Sequence, residues 1–379
     1  MVYVHIPFCR SFCTYCGFYS EVAPKCREIQ SDGYVQALEC EIRTRQKEIE
    51  RVFASSDVNT LYVGGGTPSV MPLEVFERLL AVLGRSGFEE FTVEVNPEDI
   101  VEKGPQYVEG LLKLGVNRIS MGVQSFDDSV LKWMNRRHSS SQAVRAYGIL
   151  EDAGVRNISI DLIFGLPQLS SDLWGETLEK ALNISSRGVL PNHISAYQLS
   201  VEEGSMLEKM IARGMCSEAS EEICRRQYET LCDVLHQAGY DHYEISNFAL
   251  EGYRARHNSA YWKHIPYIGL GPGAHSFLDG RRMWNKEDLP AYLQAGQTGD
   301  FSFVQGGEDL DHEQMTMERI MLGLRTEEGV EEGFLRENCS PASLEEALKN
   351  GNLVSSEGSC LRIPENRFFI SDNIISSII

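Results

Sequence analysis

Short apolar segments alternate with helix-like segments through the first half of the chain. The apolar segments are VYVHIP, NTLYVGGGTP, FTVEVNP, NRISMGVQ, NISIDLIFGLP and HISAYQLSV. Their length and β-branched content are typical of strands that are buried on both faces. Strand and helix alternating six times predict a parallel α/β sheet, which is either open or curled into a partial or full barrel.

The segments between these strands have the composition and spacing of helices. They read YVQALECEIRTRQKEIERVF, PLEVFERLLAVLGRSG, VEGLLKLG, SQAVRAYGILEDAG and SDLWGETLEKALNIS. Gly115 and Gly154 stand where helix C-caps are expected, just before the next strand. Because the C-terminal ends of the strands carry the chemistry in such folds, we expect a functional site at that edge of the sheet.

The pattern changes after about residue 205. A helical stretch, SEEICRRQYETLCDVLHQAG, leads into DHYEISNFA and then into RHNSAYWKHIPYIGLGPGAHS, which is rich in glycine, histidine and aromatic residues. Two helices, HEQMTMERIMLGLR and SLEEALKNGNL, then precede a hairpin-like CLRIPENRFFIS and a short apolar helix. We predict a barrel core over residues 1–235, completion of the barrel over 236–305, and a winged-helix-like α+β module over 306–379.

The composition limits the partners of the protein. The chain has 379 residues, 42% of them hydrophobic, which is ordinary for a globular protein with a buried core. Its formal net charge is −20, from 55 acidic and 35 basic residues, and this argues against an extended nucleic-acid surface. The C-terminal module carries many acidic residues and no basic recognition face. We therefore expect it to serve packing or protein interaction and not DNA binding.

The sequence predicts a cytoplasmic protein with reduced thiols. No run approaches the roughly 20 apolar residues that a membrane span needs, and MVYVHI is too short for a secretory signal. Structural disulfides are rare in the cytosol, so the ten cysteines are expected to be free thiols or metal ligands. Seven of them show no tight ligand spacing and are expected to be small, semi-buried side chains. These are Cys26, Cys40, Cys216, Cys224, Cys232, Cys339 and Cys360.

The remaining cysteines, Cys9, Cys13 and Cys16, form a C-x3-C-x2-C motif directly after the first strand. On a helix they would share one face and could simply pack into a core. A structural zinc site would need a fourth ligand, and no second C-x-x-C or H-x-x-x-H pair is present. An iron–sulfur cluster fits better, because three thiolates hold a cubane and leave one iron with an exchangeable position.

The motif, with the aromatic Tyr15 before the last cysteine, resembles the signature of the radical S-adenosylmethionine (SAM) enzymes. The resemblance implies a [4Fe-4S] cluster whose open iron chelates the amino and carboxylate groups of SAM. It further implies that electron transfer from the cluster cleaves SAM homolytically.

Other residues at strand ends agree with a SAM-sized ligand. Gly65, Gly66 and Thr67 end the second strand, where glycines let backbone amides approach a charged ligand. The GGGTP segment matches the superfamily element that contacts the amino group of SAM. Polar residues at or beyond the ends of strands three to five supply carboxylate, amide and guanidinium groups for such a ligand. These are Glu94, Gln124, Arg136 and Asp161.

Nearly the whole chain resembles one group within that superfamily. HIPFC, GGGTPS, GVNRISMGVQSF, DLIFGLP, HISAYQLS, YEISNFA and GLGPGAHS resemble segments of the oxygen-independent coproporphyrinogen III oxidase superfamily. One branch is the dehydrogenase (HemN), which decarboxylates two propionates of coproporphyrinogen III to give protoporphyrinogen IX. The other is the HemW branch, whose members are haem-binding chaperones proposed to deliver haem to respiratory enzymes.

Two departures favour the HemW branch. The dehydrogenase has a fourth cysteine two residues after the third, where this chain has Phe18. The dehydrogenase also carries an N-terminal extension, whereas the first strand here begins at residue 2. Gly17, by contrast, follows the dehydrogenase pattern, so the dehydrogenase activity stays the alternative.

A further element, HNSAYW, matches the HNxxYW element associated with haem binding in HemW-like proteins. Its matching residues are His257, Asn258, Tyr261 and Trp262. A neutral histidine is a suitable axial ligand, and aromatic rings pack on a porphyrin face. The alternative is a core histidine held by hydrogen bonds. Neighbouring histidines that could also ligate are His242, His264 and His275.

The resemblance assigns roles to the site residues. Gly65, Gly66, Thr67 and Glu94 are expected to contact cluster-bound SAM, with Tyr3 stacking near it. Gln124, Arg136 and Asp161 match positions that hold a second SAM in the dehydrogenase. The implied partners are haem or a porphyrin as cargo, haem-acceptor proteins, and an electron donor such as a flavodoxin or ferredoxin.

Overall fold

The structure, a computed structural model, describes residues 1–22, 32–167 and 169–379. Its strands are β1 (Val2–Ile6), β2 (Phe8–Cys9), β3 (Glu21–Val22), β4 (Thr60–Gly65), β5 (Glu90–Val95), β6 (Arg118–Gln124), β7 (Ile158–Phe164), β8 (His193–Gln198), β9 (Asp241–Glu244), β10 (Asn247–Ala249), β11 (Ile268–Leu270), β12 (His275–Leu278), β13 (Arg281–Asn285), β14 (Gln305–Asp309), β15 (Val330–Glu331), β16 (Val354–Ser356) and β17 (Cys360–Arg362).

A mostly parallel sheet forms the centre of the molecule. Within the described residues its strand order is β11-β1-β4-β5-β6-β7-β8-β10-β9. The six strands predicted from the sequence lie side by side in chain order, and every pair among them is parallel. β11 extends the sheet in parallel beside β1, while β10 and β9 extend it antiparallel beyond β8. The sheet ends at β11 and β9, so the predicted partial barrel is confirmed.

Helices follow the strands. They are α1 (Asp32–Thr44), α2 (Gln46–Ala54), α3 (Leu73–Leu83), α4 (Pro97–Lys113), α5 (Asp128–Trp133), α6 (Ser140–Asp152), α7 (Ser171–Leu182), α8 (Met206–Ala212), α9 (Glu221–Gln237), α10 (Arg256–Trp262), α11 (Leu289–Thr298), α12 (His312–Gly323), α13 (Glu332–Asn338), α14 (Pro341–Lys349) and α15 (Ser371–Ile378). Short 3-10 helices cover Pro68–Val70, Glu357–Ser359 and Glu365–Ile370.

The local signals place most of these elements correctly. Gly115 and Gly154 follow the ends of α4 and α6 with left-handed φ values of 95° and 96°, as helix-ending glycines do. The single long helix predicted from residue 34 to 53 is instead two helices, because the backbone at Arg45 leaves the helical region. The Arg45 guanidinium is buried there and donates to the carbonyl oxygen of Gly269 at 2.9 Å. The helix therefore breaks at Arg45, where the side chain makes this tertiary contact. The hydrophobic periodicity of the sequence gives no sign of the break.

Apolar packing joins the helices to the sheet. β7 is buried along almost its whole length, as a central strand covered on both faces should be. On α3 the buried residues Val75, Phe76, Leu79 and Leu83 recur at helical spacing and form one apolar face. Helical propensity alone is weak, so this burial supplies most of the stability of such a helix.

The C-terminal part contains two small sheets, β12-β13-β14 and β15-β17-β16. The helices predicted there are present as α12, α14 and α15, and α13 is an additional one. The hairpin lies earlier than predicted, over β16 and β17, and Glu365–Ile370 is a 3-10 helix. Pro364 accounts for the difference, because proline has no N–H to donate to a strand ladder. The predicted boundary at residue 305 falls inside β14, and the division into three units stays a prediction.

In the described part of the chain, no helix has both the length and the apolar character to cross a membrane.

Candidate cluster and ligand site

The C-terminal ends of the central strands surround a cavity of about 520 Å³. Most of the residues that the sequence singled out lie on its wall, although they come from separate strands and loops. The predicted residues lining it are Cys9, Cys13, Tyr15, Cys16, Gly65, Gly66, Thr67, Glu94, Gln124, Arg136, Asp161 and Asn258. Tyr3, His257, Tyr261 and Trp262 are not among the lining residues.

Backbone hydrogen bonds hold the cysteine loop over the cavity. Gly66 N donates to the carbonyl oxygen of Ile6 at 2.8 Å, and Thr67 N donates to that of Phe8 at 2.8 Å. On the other side, Thr14 N donates to the carbonyl oxygen of Met134 at 3.0 Å. The loop is thus tied both to the end of β4 and to the segment after α5. These bonds hold the three thiols at the cavity, although only Cys9 belongs to a strand.

The three thiols have the chemistry of metal ligands. Burial raises the pKa of the Cys9 thiol, and it raises that of Cys16 to about 11. The Cys9 Sγ lies 3.4 Å from the Thr67 hydroxyl, and Arg136 Nη1 donates to the Cys13 Sγ at 3.4 Å. A cation is therefore needed to hold Cys9 and Cys16 as thiolates at neutral pH. Three thiols on one cavity suit an iron–sulfur cluster.

The glycines at the end of β4 allow a close approach. Gly65 has φ 110°, and a Cβ there would lie 2.8 Å from the His5 ring. A Cβ on Gly66 would lie 2.7 Å from the carbonyl oxygen of Phe8 and 3.0 Å from the Cys9 Sγ. Only glycine fits both positions, and the turn leaves backbone beside the cysteine wall open to a ligand.

Glu94 is held beside this turn. Its carboxylate accepts a hydrogen bond from the Tyr62 hydroxyl at 2.7 Å and another from Gly65 N at 3.2 Å. Burial raises the pKa of the Glu94 carboxyl from 4.5 to about 7. Near neutral pH the group is therefore poised between its neutral and charged forms, and a cationic or hydroxyl-bearing ligand would stabilise the charged form.

Arg136 lines the same cavity. Its Nη2 donates to the carbonyl oxygen of Gly122 at 2.6 Å, whereas its buried Nε has no hydrogen-bond partner among the described residues. An unsatisfied buried donor costs about 1–3 kcal/mol, which an anionic ligand group would recover. The guanidinium therefore fits an anionic ligand group such as a carboxylate.

Gln124 lies at the irregular end of β6. It has φ 68°, which is unusual for a residue with a side chain, and the pairing register with β7 shifts between Gly122 and Gln124. Strained positions of this kind concentrate at ligand sites. The bulge turns Gln124 into the cavity wall.

Asp161 lies on β7, and the Ser120 hydroxyl donates to its carboxylate from 3.2 Å away from both oxygens. Burial raises its pKa, while Arg118 opposes the shift. Ser195 and Tyr197 of β8 line the cavity beside it, as does Tyr62 of β4. The sequence analysis missed these three residues. Residues two apart along a strand lie on the same face, so the segment HISAYQLS could have indicated that Ser195 and Tyr197 face the site together.

Tyr3 lies outside the cavity. Its hydroxyl is 3.0 Å from His5 Nδ1, and its ring packs at 6.0 Å from that of Tyr62. In this position Tyr3 packs against His5 and Tyr62. Its predicted stacking on SAM stays a prediction.

The HNxxYW element is divided between cavity and core. His257 is 1% exposed; its Nδ1 is 2.8 Å from the Thr60 hydroxyl and its Nε2 is 3.0 Å from the Tyr261 hydroxyl. Burial lowers the pKa of His257 to about 3, so the imidazole is neutral. Asn258 faces the cavity, while Tyr261 and Trp262 are half-buried. Both ring nitrogens of His257 thus have protein partners.

The three neighbouring histidines differ in accessibility. His242 is buried against Phe248, with ring centroids 4.0 Å apart. His264 contacts Glu318 at 2.9 Å. His275 on β12 is exposed.

Of the seven cysteines outside the motif, Cys224 and Cys339 are buried. Four others are partly exposed, as expected: Cys40, Cys216, Cys232 and Cys360. Cys26 lies outside the described residues.

Comparison with known proteins agrees with the geometry. Residues 3–181 match the model of the radical SAM superfamily. The chain is 34% identical to a heme chaperone HemW of Lactococcus lactis subsp. lactis, over 100% of this chain and 96% of that relative. It is 35% identical to a heme chaperone HemW of Synechocystis sp., over 86% of this chain and 78% of that relative.

Among solved structures, the fold is similar to that of the coproporphyrinogen III oxidase HemN of Escherichia coli. The TM-score is 0.79 at 21% identity, over 99% of this chain and 89% of that one. At this identity the likeness concerns the fold alone. The similarity to the heme chaperones is higher in identity and spans 96% of the Lactococcus lactis relative and 78% of the Synechocystis one. The chain therefore belongs to the HemW family of radical SAM proteins.

Proposed function

We propose that this protein is a haem chaperone that carries a [4Fe-4S] cluster and SAM and delivers haem to acceptor proteins. The observation that carries the cofactor assignment is the meeting of three thiols, an unpaired buried arginine donor and a buried carboxyl on one cavity. The haem cargo is inferred from the names of the relatives.

Cys9, Cys13 and Cys16 would hold the cluster, which supplies single electrons when bound. Phe18 occupies the position of the dehydrogenase's fourth cysteine, and its side chain is 71% exposed at the cavity rim. The protein residues supply positioning. Gly65 and Gly66 admit the ligand next to the cysteine wall, and Tyr62 orients the Glu94 carboxylate.

SAM binding would use groups of opposite charge. We assign the carboxylate of a SAM molecule to the Arg136 side, where Nε is unpaired, and its ribose hydroxyls or amino group to Glu94 and Thr67. Gln124 and Asp161 lie on the same wall and would contact a second SAM, should two bind. An electron donor such as a flavodoxin or ferredoxin, and a cytoplasmic location, belong to this proposal.

Haem binding at the HNxxYW element would require a change around His257. Iron ligation would replace its hydrogen bond to Tyr261 or to Thr60, since both ring nitrogens are engaged. Tyr261 and Trp262 are half-buried beside it and would pack on the macrocycle.

The test uses the full-length protein reconstituted with its cluster under anaerobic conditions. Haem titration should shift the Soret band of the wild type, and His257→Ala should weaken this binding by about tenfold or more, because it removes the axial ligand. His312→Ala, at an exposed histidine of α12, should bind haem like the wild type. Cys13→Ala should lose the cluster absorbance.

Two outcomes would contradict the proposal. One is wild-type protein that takes up no haem. The other is conversion of coproporphyrinogen III to protoporphyrinogen and CO2 with SAM and a reductant, or rescue of a strain that lacks the oxygen-independent oxidase. Equal haem affinity in His257→Ala and wild type would reject only the assignment of the ligand.

A further inference from the structure

A second group of metal-binding side chains lies outside the cavity, where α9, β9 and the 3-10 helix Glu365–Ile370 meet. Cys232, His242 and Glu365 place a sulfur, a ring nitrogen and a carboxylate oxygen within 4.8 Å of one another. His242 Nδ1 lies 2.7 Å from Glu365 Oε1 and 3.9 Å from Cys232 Sγ. These residues come from both the barrel and the C-terminal part.

A fourth side chain reaches the same carboxylate. His236 follows Cys232 by four residues on α9, so the two share one helix face. Its Nε2 lies 2.8 Å from Glu365 Oε1. His236 does not belong to the set of three converging ligand atoms, so it orients the Glu365 carboxylate and does not complete the ligand set.

The ring of His242 is held in a ligating orientation. It stacks on Phe248 at 4.0 Å and meets the edge of Phe368 at 5.1 Å. Its Nε2 faces the carbonyl oxygen of Ile245 at 3.4 Å, which favours the proton on Nε2. That tautomer turns the lone pair of Nδ1 toward Cys232 and Glu365, as the outer partners of metal-binding histidines commonly do.

The identity of the ion follows from the ligands. Thiolate and imidazole select zinc over magnesium or calcium, which prefer oxygen ligands. Haem is a poor fit, because the three ligand atoms converge toward one point, whereas axial ligands approach haem iron from opposite faces. Three protein ligands leave the fourth position of a tetrahedral zinc site to a water molecule.

We propose that Cys232, His242 and Glu365 bind one zinc ion that fastens the C-terminal part to the barrel. The cysteines of the cluster motif take no part in this site. The proposal therefore stands or falls separately from the proposed chaperone function.

The test measures zinc in the full-length protein. Wild type and the Cys9→Ala/Cys13→Ala/Cys16→Ala variant should both retain one zinc per chain after dialysis. Cys232→Ser and Glu365→Gln should each weaken zinc binding by more than about tenfold, the loss that even outer-shell changes produce. Cys40→Ser, at a partly exposed thiol of α1, is the matched control and should retain zinc.

Cobalt supplies a second readout. Co²⁺ added to the triple-alanine variant should show thiolate-to-metal charge-transfer absorption, and Cys232→Ser in that background should abolish it. Zn²⁺ should also raise the unfolding temperature of the triple variant and not that of the same protein with Glu365→Gln, whose side chain is partly exposed and tolerant of the change. Absence of zinc from the triple variant, or zinc retained after Cys232→Ser and Glu365→Gln are combined, would overturn the proposal.

Discussion

Arg136 and Glu94 are buried polar residues whose surroundings suit a ligand better than they suit an apolar core. Arg136 Nε has no hydrogen-bond partner in the described chain, and Glu94 has a pKa of about 7 because of its burial. Both features reduce the stability of the ligand-free protein. Such local costs are typical of sites that bind a charged molecule.

Glu94 should make stability depend on pH. Its carboxyl binds a proton more tightly in the folded state, where the pKa is about 7, than in the unfolded chain, where it is near 4.5. The folded protein therefore loses stability as pH rises through this window. As pH rises from about 4.5 to above 7, the free energy of unfolding of the wild type should fall by up to about 3 kcal/mol relative to that of Glu94→Gln.

Urea unfolding without added SAM, at about pH 5 and about pH 7.5, measures this difference. Glu74→Gln, at an exposed position on α3, is the control and should follow the wild type. If the free energy of unfolding depended on pH in the same way for the wild type and Glu94→Gln, the Glu94 carboxyl would have an ordinary pKa in the folded protein.

At the scale of elements, the turn after β4 connects a sequence motif to a precise geometry. GGGTP is recognisable as a strand end, yet its importance lies in Gly65, which has a positive φ and leaves no room for a Cβ beside the His5 ring. The same turn donates Gly65 N to Glu94 and anchors the cysteine loop through Gly66 N and Thr67 N. This one turn therefore positions both the Glu94 carboxylate and the cysteine loop.

Gly65→Ala should destabilise the protein by more than Gly84→Ala. Both positions have positive φ, which costs a residue with a Cβ about 1 kcal/mol or more. Gly84 caps α3, and a Cβ there meets nothing within 4 Å, whereas a Cβ on Gly65 would lie 2.8 Å from His5. Thermal unfolding and iron content per chain measure the effect. Equal losses of stability in the two variants would mean that His5 moves aside freely.

For the whole molecule, one hydrophobic core links the barrel to the C-terminal part. The same cluster of buried residues runs from Val2 in β1 to Ile378 in α15. The small sheet β15-β17-β16 and its helices therefore pack as part of a larger unit, although their sequence pattern is that of a separate module. We expect the chain to unfold as a single cooperative structure.

Leu344→Ala tests this expectation. Leu344 is fully buried in α14, and its truncation should cost about 2–5 kcal/mol. Calorimetry should show one transition at a lower temperature for the variant. Met317→Ala, at a position of α12 that is 37% exposed, should change the transition little. A second, earlier transition in Leu344→Ala alone would show that residues 306–379 unfold independently.

The sequence by itself determined the elements whose signal is local. The six parallel strands, the helix-ending glycines and the C-x3-C-x2-C motif are each contained within a short segment, so periodicity, backbone preference and spacing were sufficient. The order of the strands was left open, because the same alternation of strand and helix fits an open sheet or a barrel. Pairing of β9, β10 and β11 with the same sheet lacked such a local signal.

Only the tertiary structure decided which distant side chains meet. It brings Arg136 to Cys13 and buries both ring nitrogens of His257 in hydrogen bonds. It also joins Cys232 and His242 to Glu365, a residue more than a hundred positions further along the chain. Hydrogen bonds, burial and metal-ligand geometry depend on distances between atoms from different elements, and no pattern within one segment encodes those distances.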